Sequence, residues 1–457
     1  MEFILLLSSV SMLCAVIFSR QLIGVMQWIN PIVFLYIPHI LLIFSYFAAH
    51  SRDVISLELD AYAVALLVSG YFAFLVGVLS MAITRNQQRT PVTLSLKDIL
   101  IAKKIVYVSL VIITLAVVYK YFLIILIFGN PFDNIIAIRL DYVSGKLDYS
   151  WSNSIAFFMS SLLMLNIGFL LGIGFEVKKR VFIFAILMLV ANDVTIGGAN
   201  WTFSSLVLLF CVWAATKERL GQFKMSVKTF GKIAFVLGIS TTIILTLLYF
   251  RSEGGIGGDA SFFDTILYYA GGDIATFGYF INNPYPSVPP GRHTLGGLYK
   301  LIDSIFSIFG ADFLGPQDNE LFVADIGQRS NTSIHFSHYY SDFGFGGIVV
   351  FIFLLGLLSM LAMKFYQRRF NLLRTQYFGL ILFVCIISIR SVPTEGKYFW
   401  ILLIFLPFLY KVVDIFEKIK LSSGVVKKAE RLNLPIFTVN GSTQVKVTAP
   451  QPRIDPI

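Results

Sequence analysis

Cysteine is almost missing from this chain of 457 residues. The three present, Cys14, Cys211 and Cys385, each fall inside an apolar run where a structural disulfide is not expected, which argues against a disulfide-stapled secreted fold. Charge is scarce too. Asp, Glu, Lys and Arg make up 14% of the residues, against about 25% in an ordinary soluble domain. No internal repeat is evident. The N-terminal run lacks the basic region and small-residue cleavage site of a secretory signal, so it is read as a retained helix.

Hydrophobic sequence fills the chain instead: 57% of residues, with a mean hydropathy of +0.78, the make-up of an integral membrane protein. About 20 apolar residues of helix cross hydrocarbon about 30 Å thick. Eleven stretches qualify, near 2–19, 26–49, 60–83, 105–128, 154–176, 181–198, 201–216, 233–250, 343–363, 377–392 and 398–414. The expected fold class is an all-α polytopic membrane protein with about 11 transmembrane helices, in one transmembrane domain over residues 1–414. A cytoplasmic tail, 415–457, follows. Beyond about 434 it is polar and contains proline, so disorder is expected there.

The net charge of +10 does not call for nucleic acid, because its distribution has a plainer cause. Alternate loops collect 26 of the 36 Lys and Arg on one face, which the positive-inside rule makes cytoplasmic. The N-terminus and two loops, 129–153 and 251–342, are then external. The second loop stands out. It is rich in Gly, Tyr, Phe and Asp, and a long loop on a membrane scaffold is where specific work is expected.

Within that loop, Phe263, Leu267, Ala270, Ile274 and Phe277 recur at helical spacing, as do Leu298, Leu301, Ile302, Ile305, Phe306 and Phe309. Two amphipathic helices are expected, lying along the bilayer surface or packed over the bundle, with Gly271-Gly272 interrupting the first. The prolines of 284–290 form a stiff connector between them.

Counted from 252 to 342, the loop holds ten acidic residues and three basic ones. A cation here is therefore not part of a general basic surface. Arg251 and Arg390 each sit at the external end of an expected span, where a guanidinium reaches water, a carboxylate or an anionic ligand. Glu253 and Glu395 are the local carboxylates that would pair with them instead. Arg139 and Arg292 are further external cations. Lys120 marks either a polar interior or an early end to its span.

His335 and His338 lie three apart, with Asp342 one turn further. An imidazole can take a proton from an attacking hydroxyl, or serve as a structural hydrogen-bonding group; both roles fit. No third ligand accompanies the histidines and the external loops have no Asp-x-Asp, so no metal site is expected. Gly254-Gly-Ile-Gly-Gly258 lacks the context and Lys-Ser/Thr ending of a P-loop and reads as a hinge. Tyr268 and Tyr269 can stack on sugar rings or belong to the interfacial aromatic belt.

This layout resembles the bacterial Wzy-type oligosaccharide repeat-unit polymerases, which include O-antigen and enterobacterial common antigen polymerases. The resemblance rests on the spans with one large external loop in the C-terminal half. It rests also on Tyr268-Tyr269-Ala-Gly-Gly272…Phe277, on His293-Thr-Leu-Gly-Gly297, and on Asn331-Thr…Tyr340-Ser-Asp-Phe-Gly344…Gly347. It implies a GT-C-like glycosyltransferase of the bacterial inner membrane. The donor would be a glycan on a polyprenyl (undecaprenyl) pyrophosphate and the acceptor a lipid-linked repeat unit, with no cofactor and a Wzz-type chain-length regulator as partner. Arg251 and Arg390 would hold the pyrophosphate, with His335, Asp342 or Glu253 as base. Relatives often carry an arginine between the two helices of the central pair, where this chain has Gly197-Gly-Ala-Asn-Trp201. That arginine's work would fall to another cation, such as Arg139. Rival readings are an O-antigen ligase, which uses the same donor, and a lipid-linked sugar transporter, which would be expected to show inverted repeats and midplane charges.

Overall fold

The computed structural model describes residues 2–23, 28–82, 94–130, 134, 137–138, 141, 150–195, 200–223, 262–283, 291–307, 324–325, 329–330, 334–389, 397–421, 437–439 and 442–445. Among these, helix dominates: α1 (Glu2–Leu22), α2 (Pro31–His50), α3 (Ala61–Ala82), α4 (Leu96–Phe128), α5 (Ser150–Gly172), α6 (Lys179–Val194), α7 (Asn200–Arg219), α8 (Phe262–Asn282), α9 (Gly296–Phe306), α10 (Phe336–Arg368), α11 (Leu372–Ile387) and α12 (Lys397–Leu421). Starts follow local chemistry. Asn30 caps α2, its side chain accepting from Val33 N at 3.1 Å with Pro31 in the first turn, and Asn371 caps α11 through Arg374 N at 2.9 Å.

Six of the helices, α1 to α5 and α10, are long and apolar enough to cross a membrane, as a multi-pass membrane protein requires. The expected stretches 377–392 and 398–414 fall on the shorter apolar helices α11 and α12, and 181–198 and 201–216 on α6 and α7. The stretch 233–250 lies outside the described residues. α4 carries an outward row of Val111, Leu115, Val118, Phe122 and Leu126, with Leu115 65% and Leu126 66% exposed. So continuous an apolar stripe suits lipid rather than water.

Small residues let the helices touch backbone to backbone. A Cβ on Gly77 of α3 would collide with Phe353 O of α10, and one on Gly356 with Phe74 O. α5 and α7 approach in the same way, Gly168 lying 2.7 Å, measured from an added Cβ, from Leu209 O. α10 is broken at Gly344, whose φ of 62° and ψ of −153° are open to glycine. The segment before the break folds back on the helix after it, with Tyr339 stacked on Phe351 at 5.1 Å and Gly347 against Tyr339 O.

One expectation is corrected. Gly271-Gly272 does not interrupt the first loop helix. α8 runs unbroken through it, and Gly271 is the point where α8 meets the backbone of Ser45 and Tyr46 at the end of α2. α8 lies across that end of the bundle, since Asp264 pairs with Arg52 at 2.9 Å and Gly278 meets Leu57 and Leu59. In the tail, Phe437–Val439 and Ser442–Val445 pair as antiparallel strands. The second strand pairs with Leu94–Ser95 just before α4.

Replacing Gly356 with Val forces side chain against the Phe74 carbonyl and should cost about 1–3 kcal/mol. A fall in thermal midpoint of the detergent-solubilised protein is expected for Gly356→Val, and none for Gly346→Ala, where an added Cβ meets nothing.

Candidate functional site

Contacts fix which helix ends lie together. Gln376 near the start of α11 donates to Asn166 near the end of α5, and Leu372 N reaches Asp98 in the first turn of α4. The end of α11 therefore lies with the start of α5 and the end of α4. His335, just before α10, binds that same end of α11. The ends of α2, α4, α6 and α11 and the starts of α3, α5, α7 and α10 thus share one face of the bundle, across which α8 lies.

Here the short helical segment before Gly344 presents His335, His338 and Asp342 in sequence. His335 is fixed by one carbonyl: its backbone N–H and its Nδ1 both donate to Ser388 O, at 3.1 and 2.6 Å. A carbonyl only accepts, so the proton sits on Nδ1 and Nε2 is left as the basic atom. That Nε2 is buried and has no hydrogen-bond partner. Burial, together with the imidazoles of His39 and His338, pushes the His335 pKa well below the usual histidine range, which keeps the ring neutral at pH 7.

Asp342 has a different task from the one expected of a base. Its two carboxylate oxygens accept from His293 N at 3.2 Å and Thr294 N at 2.5 Å, tying the stretch 291–294 to the α10 segment. Arg292, partly buried, is carried in that stretch beside Gly291, which has φ +82°. His293 stacks toward His338 with ring centroids 6.2 Å apart. Tyr268 is buried in the hydrophobic core, while Tyr269, at 81° to it and 5.6 Å away, is only partly buried and is the one of the pair with an accessible ring. Arg251, Arg390, Arg139 and Glu253 lie outside the described residues; Arg390 follows Ser388 by two positions in the sequence.

One participant was not singled out by sequence. His39 of α2, fully buried, lies 6.1 Å from His335, ring to ring, so that four of the five histidines, His39, His335, His338 and His293, form one row. An imidazole in the middle of an apolar helix was the available signal. Lys120, read from sequence as marking either a polar interior or an early end to its span, is buried within a helix that continues to Phe128. It donates to Asn192 Oδ1 at 2.7 Å, lies 5.7 Å over the Phe157 ring and is attracted by Asp193, whose carboxylate accepts from Thr202 N at 2.7 Å. Asn192 and Asp193 stand directly before the Gly197-Gly198 connection. Among the described residues no group of three or more His, Cys, Asp or Glu could hold a metal ion.

Comparison with known protein families, with curated proteins and with solved structures gives no match.

Lys120→Met leaves the Asp193 charge buried without its cation and should cost about 3–5 kcal/mol, most of it recovered in Lys120→Met with Asp193→Asn. Thermal midpoints of the two variants check this. Equal losses in the single and double variants would contradict the pairing.

Proposed function

We propose that this chain is a glycosyltransferase of the bacterial inner membrane that polymerises polyprenyl-pyrophosphate-linked oligosaccharide repeat units, with about eleven spans and a GT-C-like fold. The observation that carries the reading is His335: a neutral imidazole with its Nε2 bare and its tautomer set by the carbonyl of Ser388, which precedes Arg390 by two positions in the sequence. The base candidate lies at one end of a membrane bundle. That is where a substrate with a pyrophosphate at the membrane surface needs it.

In this reading the basic end of the bundle faces the cytoplasm and the His335 end faces outward. A hydroxyl of the acceptor's non-reducing sugar attacks the anomeric carbon of the donor and gives its proton to His335 Nε2. The bond from the anomeric carbon to the pyrophosphate oxygen breaks, and its electron pair leaves with the pyrophosphate, held by Arg251 and Arg390. Asp342 fixes Arg292 beside this site, and Tyr269 offers a ring to the glycan. Lys120, bound to Asn192 near the end of α6, supplies a cation where relatives carry an arginine. A chain-length regulator is the expected partner.

Deletion of the gene should leave single capped repeat units on the surface in place of polymer, and Arg251→Ala with Arg390→Ala should reproduce that profile. Polymer accumulating on the lipid carrier would mark a ligase instead. Unchanged polymer in the double variant would sink the mechanism.

A further inference from the structure

His39 plays no part in the reaction as written above, yet it is built as a counterpart of His335. Its Nδ1 donates to Leu35 O at 2.8 Å, as that of His335 does to Ser388 O, so both rings carry their proton on Nδ1. Both Nε2 atoms are buried and without a partner. A third buried atom in the same state is the hydroxyl of Tyr71 on α3, whose ring is 5.3 Å from that of His39. Buried polar groups left in this way are exceptions that call for a cause, most of all inside an apolar bundle.

The three atoms have complementary needs. Two bare imidazole nitrogens require two donors, and one phenol O–H requires an acceptor. A single water supplies two O–H donors and an acceptor lone pair, with two or more polar partners of the kind that hold internal waters. The ring separation of 6.1 Å, at an interplanar angle of 72°, suits two nitrogens each about 2.9 Å from a shared oxygen. The groups around the pair are Tyr36 on α2, Tyr71 on α3, and His338 and Tyr339 on α10. α8 adds Asp273, whose main-chain carbonyl faces Ile334 N at 3.5 Å.

We propose that His39 and His335 form one proton-sharing unit across a buried water also held by Tyr71, making His39 the positioning residue for His335. The acceptor hydroxyl gives its proton to this water as the water gives one of its own to His335 Nε2, and the water then takes that proton back as it gives another to His39 Nε2. No bond other than these O–H and N–H bonds changes, and the positive charge moves from one ring to the other. This rests on His335 acting as the base, but the arrangement is testable without any reaction.

Full-length protein labelled with 15N-histidine and reconstituted in lipid nanodiscs gives five imidazoles to assign by substitution. Both His39 and His335 should be protonated at Nδ1 and bare at Nε2, and Tyr71→Phe should move the Nε2 resonances of both. An Nε2–H tautomer on either ring, or a Tyr71→Phe variant that leaves His335 Nε2 unmoved, overturns the proposal. In polymer synthesis, His39→Gln should lower turnover at least about tenfold with KM unchanged, part of the 10²–10⁴ that a general base supplies. Unchanged turnover would count against it. Wild-type protein that makes no polymer yet shows the paired tautomers would instead remove the function and leave the water-bridged pair standing.

Discussion

The close approach of α3 and α10 is the constraint on which the rest of the site depends. Gly70, Gly77 and Gly356 remove the side chains that would hold the two helices apart, and the backbones meet. Because α10 can sit so close, the segment before Gly344 can fold back beside it and still fit. Phe336 then lies over Gly70, where a Cβ would strike its ring at 2.5 Å. The same fold seats His335 against the end of α11 and the ring of His39. Without a driving force from water between helices in lipid, such packing and a few polar contacts hold the bundle together.

Polar groups inside this bundle fall into two kinds. At the end opposite His335, Asn166 Oδ1 accepts from Gln376 Nε2 at 3.1 Å and from Tyr410 at 3.2 Å, Tyr410 also reaches Gln376 Oε1, and Asn166 Nδ2 donates to Leu162 O at 2.7 Å. That network joins α5, α11 and α12 and is satisfied within the protein, the state in which a buried polar cluster rigidifies a fold. His39 and His335 differ, because each has one ring nitrogen fixed and the other bare. The fixed nitrogen sets orientation. The bare one is available for chemistry.

Much of the fold could be read from hydropathy: the helical class, the positions of the long spans and the two helices of the long loop follow from apolar runs and three-to-four spacing. Hydropathy could not say that Gly271-Gly272 serves packing, because a glycine pair in isolation reads as a breaker and only the backbone of Ser45 and Tyr46 gives it a role. Nor could composition show that Ser442–Val445 finds a partner at Leu94–Ser95, a pairing across most of the chain. Of the site, the spacing of His335, His338 and Asp342 was legible as one helical face. Asp342 as an amide anchor was not, since its partners at 293 and 294 are 48 or more residues away. His39 was hidden for the same reason: its meaning comes from a neighbour nearly 300 positions along.

The central claim is that His335, held by Ser388 and set at one end of a membrane bundle, activates a sugar hydroxyl against a lipid-linked pyrophosphate donor. Purified protein in proteoliposomes, supplied with a polyprenyl-pyrophosphate-linked repeat unit and no nucleotide sugar, tests it most directly. The account predicts a ladder of longer lipid-linked glycans, one polyprenyl pyrophosphate released per link, and loss of both in folded His335→Ala. Elongation that proceeds equally well in that variant, or a wild-type protein that extends nothing, would contradict it.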